Sequence, residues 1–256
     1  MDSPGFVVMA NFVLVHGIFG GARSWRALTP VLRSRGHEVY AHSLTGLGER
    51  AHLAGPHTNL STHIQDIVAL IESEDLHEVV LVGHSYGGMV ITGAADRVPE
   101  RIAHLVYLDA LLPADGQACS DLEGFDQVLA MRLDDGWLLR PPDLPNLARL
   151  PSRGHPMGTL TEKLHLSRPL EERAFTRTYV LGAGSPKPPP DQQTGNFWNA
   201  AKRVRHDPAW RYVELPLGHD LHREHADVIA GLLFDLVKNE NAVSEARPPA
   251  DQVDSS

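Results

Sequence analysis

The chain has 256 residues, of which 42% are hydrophobic and 21% charged, values typical of a globular protein that buries a core without metal or disulfide staples. Its formal net charge of −9 argues against a nucleic-acid partner, which requires clustered Lys and Arg, and against sustained contact with an anionic membrane. The single cysteine, Cys119, cannot form an intramolecular disulfide, which favours a reducing cytoplasm. We interpret it as a small buried hydrophobe rather than a reactive thiol.

Strands and helices alternate along the first half of the chain. The apolar run at residues 6–15 is too short to cross a bilayer and lacks a basic segment before it, so we expect a strand at 12–16 rather than a signal peptide. Apolar periodicity and Gly or Pro breakers predict the elements that follow. These are a helix at 25–35, a strand at 38–43, a loop at 44–59, a helix at 61–74, a strand at 79–82, a helix at 89–97 and a strand at 102–108.

The alternation breaks after Pro113 and resumes later. Residues 113–172 are rich in Pro, Gly and Asp and contain no run typical of a buried strand, so we expect a cap over the carboxyl edge of a sheet. A strand at 176–181, a helix at 197–205, a strand at 211–215 and a helix at 222–237 follow. The sequence therefore predicts an α/β fold with a mostly parallel central sheet flanked by helices. Its parts are a core at 10–112 and 173–238, a cap at 113–172 and a disordered tail at 239–256.

Ser85 lies in the pattern Gly-His-Ser-Tyr-Gly at residues 83–87, between a predicted strand and a predicted helix. In that context the pattern is typical of a nucleophile elbow, a tight turn that exposes the serine hydroxyl above the sheet. The alternative is an ordinary Gly-rich turn between strand and helix, in which the serine only caps the helix. The predicted strand before the motif and helix after it favour the elbow over this alternative. We therefore predict Ser85 as the nucleophile.

The segment after the first strand predicts a second part of the same site. Glycine occupies three of the five positions 17–21, which a plain turn does not explain. In this topology such a loop contributes a backbone N–H to an oxyanion hole. We expect the amides of Ile18 and of Tyr86, directly after the nucleophile, to be the two donors.

A histidine after the last strand completes the predicted chemistry. His219 follows Gly218 in the loop between the strand at 211–215 and the final helix, the place of the base in this type of site. His219, His222 and His225 are spaced by three residues, which suggests a metal site, but this is not the i, i+4 spacing of a zinc helix. We predict no metal, and we expect His222 and His225 to lie on the surface or to face the cap.

The acid that would orient His219 has two candidates. The strand at 176–181 is followed by no carboxylate until Asp191, which lies beyond a proline run. Asp109 ends the strand at 102–108, one strand after the nucleophile, from where its carboxylate can reach His219. A strand-end cap is the alternative interpretation of Asp109. Asp220 is next to the base, and we expect its side chain to point elsewhere.

The segments at 12–17, 83–88 and 105–110 resemble the α/β-hydrolase superfamily, and the similarity extends over about residues 10–237. More narrowly, they resemble small bacterial esterases related to plant methyl-salicylate esterases and hydroxynitrile lyases. Pyrethroid-type esterases of this fold carry the acid after the sixth strand, which the resemblance relates to Asp109. Hydroxynitrile lyases have Lys after the catalytic His and Thr where Gly17 stands, so Asp220 and Gly17 argue against cyanohydrin cleavage. Ser85 excludes the members of the fold that use an Asp nucleophile, such as epoxide hydrolases.

These features predict hydrolysis of a carboxylic ester through an acyl-enzyme, without a cofactor. The alternatives are hydrolysis of an amide, carbamate, lactone or C–C bond by the same triad, or a ligand-binding protein without activity. We expect a small apolar ester-like substrate, a cytoplasmic location and no membrane partner, and a homodimer is compatible with the sequence. The candidate pocket residues are Phe19, Trp25, Phe125, Leu129, Trp137 and Leu138.

Overall fold

The computed structural model describes residues 9–122, 131–141 and 154–244, with side chains to residue 238. The strands in these ranges are β1 (Asn11–Val15), β2 (Glu38–Ala41), β3 (Val79–His84), β4 (Ile102–Leu108), β5 (Leu133–Asp134), β6 (Leu138–Leu139), β7 (His155–Pro156), β8 (Thr176–Gly182) and β9 (Arg211–Leu215). Six of them form one sheet in the order β2-β1-β3-β4-β8-β9, and all of its pairings are parallel. The predicted parallel sheet is confirmed.

The two central strands, β3 and β4, are apolar along their whole length. Every residue of β3 and of β4 is buried, and the register pairs Val82 with Val106 and Gly83 with Tyr107. A strand covered by helices on both faces needs apolar side chains on both, which is why these strands have no polar alternation.

Helices cover both faces of the sheet. They are α1 (Leu28–Arg33), α2 (Leu60–Ser73), α3 (Gly87–Arg97), α4 (Gly158–Thr161), α5 (Asn196–Val204), α6 (Leu221–Glu224) and α7 (Ala226–Ser244). One core cluster joins α1 and α7 to one face through side chains such as Leu32 and Leu233. The other cluster contains Ile64, Met89 and Ala201 from α2, α3 and α5.

Two segments that the sequence predicts as single helices are each divided into two elements. The helix expected at 25–35 is a 3-10 turn at Ala22–Trp25 followed by α1, because Pro30 can occupy only the first turn of an α-helix. The helix expected at 222–237 is interrupted at His225, whose φ of −132° and ψ of 49° are not helical. Its second part, α7, continues to Ser244, six residues into the tail expected to be disordered. A helix satisfies its own backbone hydrogen bonds, so it can continue beyond the core without burial.

The cap segment contains strands that the sequence does not predict. β5, β6 and β7 form an antiparallel sheet in which Leu139 and His155 are fully buried. The expectation that residues 113–172 hold no buried strand is wrong, because strands of two residues are too short to give a periodic signal. The loop expected at 44–59 likewise contains a 3-10 helix at Gly48–Leu53.

The strand order places a crevice between β1 and β3. From β1 the chain moves outward to β2 and then crosses back to β3 on the other side of β1, so the winding direction reverses there. Ligands of open α/β sheets bind outside the carboxyl ends of the strands at such a switch point. No helix in the described part of the chain has the length and apolarity to cross a membrane.

Candidate active site

Ser85 lies at the switch point in a conformation that few residues other than glycine adopt. Its φ is 55°, in the left-handed region, at the sharp turn between β3 and α3. The turn brings the chain against the end of β1: a Cβ on Gly87 would lie 2.5 Å from the carbonyl oxygen of Val15, and one on Gly17 would lie 2.8 Å from Ser85 Cβ. Glycine at positions 17 and 87 therefore lets the loop after β1 contact the serine.

The His219 ring is held by a carboxylate and an aromatic ring. His219 Nδ1 lies 2.6 Å from Asp109 Oδ2, and the other Asp109 oxygen accepts a hydrogen bond of 3.0 Å from the amide of Gly182. The ring stacks on Phe197, with centroids 4.7 Å apart. Because Nδ1 donates to the carboxylate, Nε2 is left as an acceptor, the tautomer that a general base needs.

Of the two candidate acids, Asp109 is the one that contacts His219, the predicted base. The Asp109 side chain is 3% exposed at the end of β4, and it contacts His219 across the sheet edge. Asp191 lies on an exposed 3-10 turn at Pro190–Gln192. The Asp220 carboxylate lies 3.5 Å from Arg223 Nε.

His84 connects the serine turn to the histidine loop. Its Nε2–H donates to the carbonyl oxygen of His219 at 2.9 Å, and the two rings are 4.6 Å apart. His219 is thus fixed beside the residue that precedes Ser85. Ser85 Oγ makes no hydrogen bond to His219 in this conformation, and such bonds often tighten only when a substrate is bound.

The amides of Ile18 and Tyr86 are oriented by the oxygens of their own peptide groups. The carbonyl oxygen of Gly17, in one peptide plane with the Ile18 N–H, accepts from His16 Nδ1 at 2.9 Å and from the Gly20 amide at 3.1 Å. The carbonyl oxygen of Ser85, in one plane with the Tyr86 N–H, accepts two further amides at 3.1 and 2.9 Å. In a trans peptide the N–H points opposite to the oxygen, so these bonds fix the direction of both donors.

Buried histidines surround the oxyanion loop, which we define as residues 16–20. Burial lowers the pKa of His16 and of His63 to about 4, and lowers the pKa of His84 and His155 well below the usual value. All four are therefore neutral near pH 7. Each neutral ring has one donor and one acceptor nitrogen, which suits it to the backbone groups it contacts.

Several predicted pocket residues do not line an open site. Trp25 is fully buried, with its ring 4.3 Å from that of His222, and Phe19 is 2% exposed against His155. His222 is also fully buried, so the expectation that it lies at the surface or faces the cap is wrong. The His222 ring, on the short helix α6, packs against the rings of Trp25 and His84.

The remaining predicted pocket residues belong to the cap. Trp137 and Leu138 are half-buried at the start of β6. Phe125 and Leu129 lie outside the described residues.

Three further residues at the site lie outside every motif that the sequence analysis uses. Phe197 stacks on His219, and His63 and His155 contact Tyr86 from the other side. They come from α5, α2 and the cap, far apart in the chain. An isolated histidine in a sequence with 15 of them carries no signal of its partners.

The described ranges contain no group of three or more His, Cys, Asp or Glu side chains arranged to hold a metal ion. Cys119 is 1% exposed, and burial raises the pKa of its thiol, which disfavours the reactive thiolate.

The sequence of the chain matches the alpha/beta hydrolase family over residues 12–232. The chain belongs to this family. A carbendazim hydrolyzing esterase from Nocardioides sp. (strain SG-4G) is 38% identical over 234 residues, covering 83% of this chain and 93% of the relative. The polyneuridine aldehyde esterase of Rauvolfia serpentina is 39% identical over 106 residues, covering 40% of this chain and 39% of the relative.

Two solved structures share the fold of this chain. An extracellular alpha/beta-hydrolase from a Paenibacillus species has a TM-score of 0.71 at 24% identity, over 89% of this chain and 98% of its own. A pyrethroid hydrolase structure has a TM-score of 0.72 at 20% identity, over 90% of this chain and 98% of its own. The first of these two proteins is named as extracellular, and the cytoplasmic location expected for this chain stays a prediction.

Proposed function

We propose that this protein is a serine esterase that cleaves small carboxylic esters through an acyl-enzyme intermediate. The observation that carries the proposal is the 2.6 Å contact between His219 Nδ1 and Asp109 Oδ2, with the His219 backbone bonded to His84, which precedes the elbow serine. This contact leaves Nε2 free to take the Ser85 proton. The relatives named as esterases support the same bond type.

The reaction proceeds in two halves. His219 takes the proton of Ser85 as Oγ attacks the ester carbonyl, and the amides of Ile18 and Tyr86 stabilise the oxyanion. His219 then gives the proton to the leaving alcohol, which leaves an acyl group on Ser85. A water molecule activated by His219 attacks this acyl-enzyme and releases the acid. Asp109 orients the imidazole and stabilises its charged form.

The test is hydrolysis of p-nitrophenyl esters of increasing acyl length by the wild-type protein and by Ser85→Ala. We expect turnover in the wild type and a loss of roughly 10³-fold or more in Ser85→Ala, because the covalent step requires the hydroxyl. The melting temperature of the variant serves as the folding control. Equal turnover in the two proteins would defeat the proposal.

The bond type and the non-catalytic alternative are tested separately. The substrate panel includes an amide, a carbamate, a lactone and carbendazim, the compound in the name of the Nocardioides relative. A fluorophosphonate probe should label Ser85 in the wild type, whereas a ligand-binding protein without activity would take no label.

The cap residues Trp137 and Leu138 are our candidates for contacts with the apolar part of the substrate. The homodimer stays a prediction, and light scattering tests it by measuring the molar mass in solution.

A further inference from the structure

The cap contacts the oxyanion loop through His155. The amide of Phe19 donates to His155 Nδ1 at 3.4 Å, and the Phe19 ring packs edge-on against the same imidazole, with centroids 5.7 Å apart. Phe19 has a φ of 56°, a left-handed conformation that a phenylalanine adopts only when its surroundings impose it. One cap side chain therefore holds both the backbone and the ring of this residue.

The second nitrogen of His155 is also engaged, so the ring cannot rotate freely. Nε2 lies 2.7 Å from Thr159 Oγ1, and this hydroxyl donates in turn to the carbonyl oxygen of Pro156 at 2.8 Å. Because Nδ1 accepts from the amide of Phe19, Nε2 carries the proton and donates to Thr159. Both His155 and Thr159 are fully buried, so no solvent competes for these bonds.

The same imidazole contacts the other donor segment. The Tyr86 ring packs edge-on against His155 with centroids 5.0 Å apart, and the Tyr86 hydroxyl donates to His63 Nδ1 at 2.9 Å. His63 Nε2–H donates to the carbonyl oxygen of Thr45, which anchors this group to the core. His155 thus lies between the two segments whose amides, at Ile18 and Tyr86, form the proposed oxyanion hole.

We propose that His155 is a positioning residue, a clamp on the cap that holds the oxyanion loop in the conformation in which both donor amides converge. The proposal rests on the proposed esterase function and adds a role for the cap. The cap completes the hole, because the Phe19 amide bonds to no core residue in the described part of the chain. A small shift of a preorganised donor weakens stabilisation of the transition state much more than binding of the substrate.

The chain offers a matched control at the opposite edge of the sheet. His37 is also a buried histidine whose Nδ1 accepts a backbone amide, that of Ala10, at 3.2 Å, and its ring packs edge-on against Phe12. His37 precedes β2, far from the carboxyl edge that carries Ser85. The variants His155→Leu and His37→Leu remove the same kind of hydrogen bond and replace the ring with a similar volume.

We expect His155→Leu to lower kcat for a p-nitrophenyl ester by about 10- to 100-fold, with KM changed by less than about threefold. His155→Asn keeps an acceptor oxygen near the position of Nδ1 and should recover most of the activity. His37→Leu should leave kcat unchanged. An aryl trifluoromethyl ketone, which forms an oxyanion adduct with the serine, should bind His155→Leu more weakly by the same factor as kcat/KM falls.

Hydrogen exchange of the Phe19 amide gives a readout that does not depend on catalysis. Exchange should be faster in His155→Leu and unchanged in His37→Leu. The proposed role of His155 would be wrong if His155→Leu had the kcat of the wild type, or if the two Leu variants lost kcat equally. Either result would leave the esterase function in place. Absence of Ser85-dependent hydrolysis in the wild type would instead defeat the proposed function.

Discussion

Three of the six non-glycine residues with a left-handed backbone in the described part of the chain lie at the candidate site. Ser85, Phe19 and Asp109 have φ values of 55°, 56° and 43°. Each such residue costs of order 1 kcal/mol or more, and the cost persists only where the surroundings impose the conformation. Ser85 presents its hydroxyl, Phe19 turns the oxyanion loop, and Asp109 directs its carboxylate to His219. At these three positions the strained backbone directs groups that the proposed chemistry uses.

Asp109→Asn tests the role of the acid at the residue scale. Asparagine has the same shape, adopts positive φ readily and can still accept from the Gly182 amide through its oxygen. It removes the charge that orients His219 and stabilises the imidazolium, so we expect kcat to fall by roughly 10²- to 10⁴-fold with little change in KM. Steady-state kinetics on a p-nitrophenyl ester measures both.

The control is the other acid that the sequence allows. Asp191→Asn changes an exposed residue of a turn and should retain wild-type kinetics. If Asp191→Asn loses activity while Asp109→Asn retains it, the assignment of the acid is wrong.

At the scale of elements, one partly buried ion pair connects α3 to the segment that leads from the cap into β8. Asp96, near the end of α3, pairs with Arg173 and accepts from the amide and the hydroxyl of Ser167 at 2.9 and 3.0 Å. The side chains of Asp96 and Arg173 are only 8% and 12% exposed. Removing one member of such a pair leaves a charge without its partner in a poorly solvated place.

We therefore expect Asp96→Asn to lower the free energy of unfolding by about 2–3 kcal/mol, measured by urea denaturation. Asp75→Asn is the matched control, because Asp75 also pairs with an arginine, Arg101, but its side chain is 78% exposed. Asparagine suits the positive φ of Asp75, so this variant should unfold like the wild type. Similar destabilisation in both variants would contradict the role of burial.

Elements were predictable from the sequence where burial is complete and the run is long. β3 and β4 follow from uninterrupted apolar runs, and α2 follows from one apolar face. β5, β6 and β7 were not predictable, because each is two residues long and depends on pairing with the others. The break at His225 is also a property of packing and not of local composition.

At the scale of the whole molecule, buried neutral histidines make the fold sensitive to acid. Burial lowers the pKa of His16 and His63 from 6.5 to about 4, and it lowers the pKa of His84, His155 and His222 well below the usual value. The unfolded chain binds these protons at a higher pH than the folded one does. Their contribution to stability is therefore complete above about pH 6.5 and is lost as the pH falls towards 4.

We expect the free energy of unfolding to decrease between pH 7 and pH 4.5, by about 2.4 kcal/mol for each histidine such as His16 or His63. Calorimetry in buffers of different ionisation enthalpy measures the protons taken up on unfolding. At pH 5.5 we expect an uptake of roughly two or more, and at pH 8 close to none. Unfolding at pH 5.5 without proton uptake would contradict this account.

The sequence by itself determined the parallel α/β architecture, the elbow at Ser85 and the loop that carries His219, because these features depend on short segments whose apolar runs and glycines specify local geometry. Only the tertiary structure shows that Asp109 and not Asp191 contacts His219, that Trp25 and His222 are buried, and that His155 of the cap contacts Phe19. These outcomes depend on which side chains meet across the sheet edge. Contacts between residues 110 or 136 positions apart are set by the packing of whole elements and leave no local pattern in the chain.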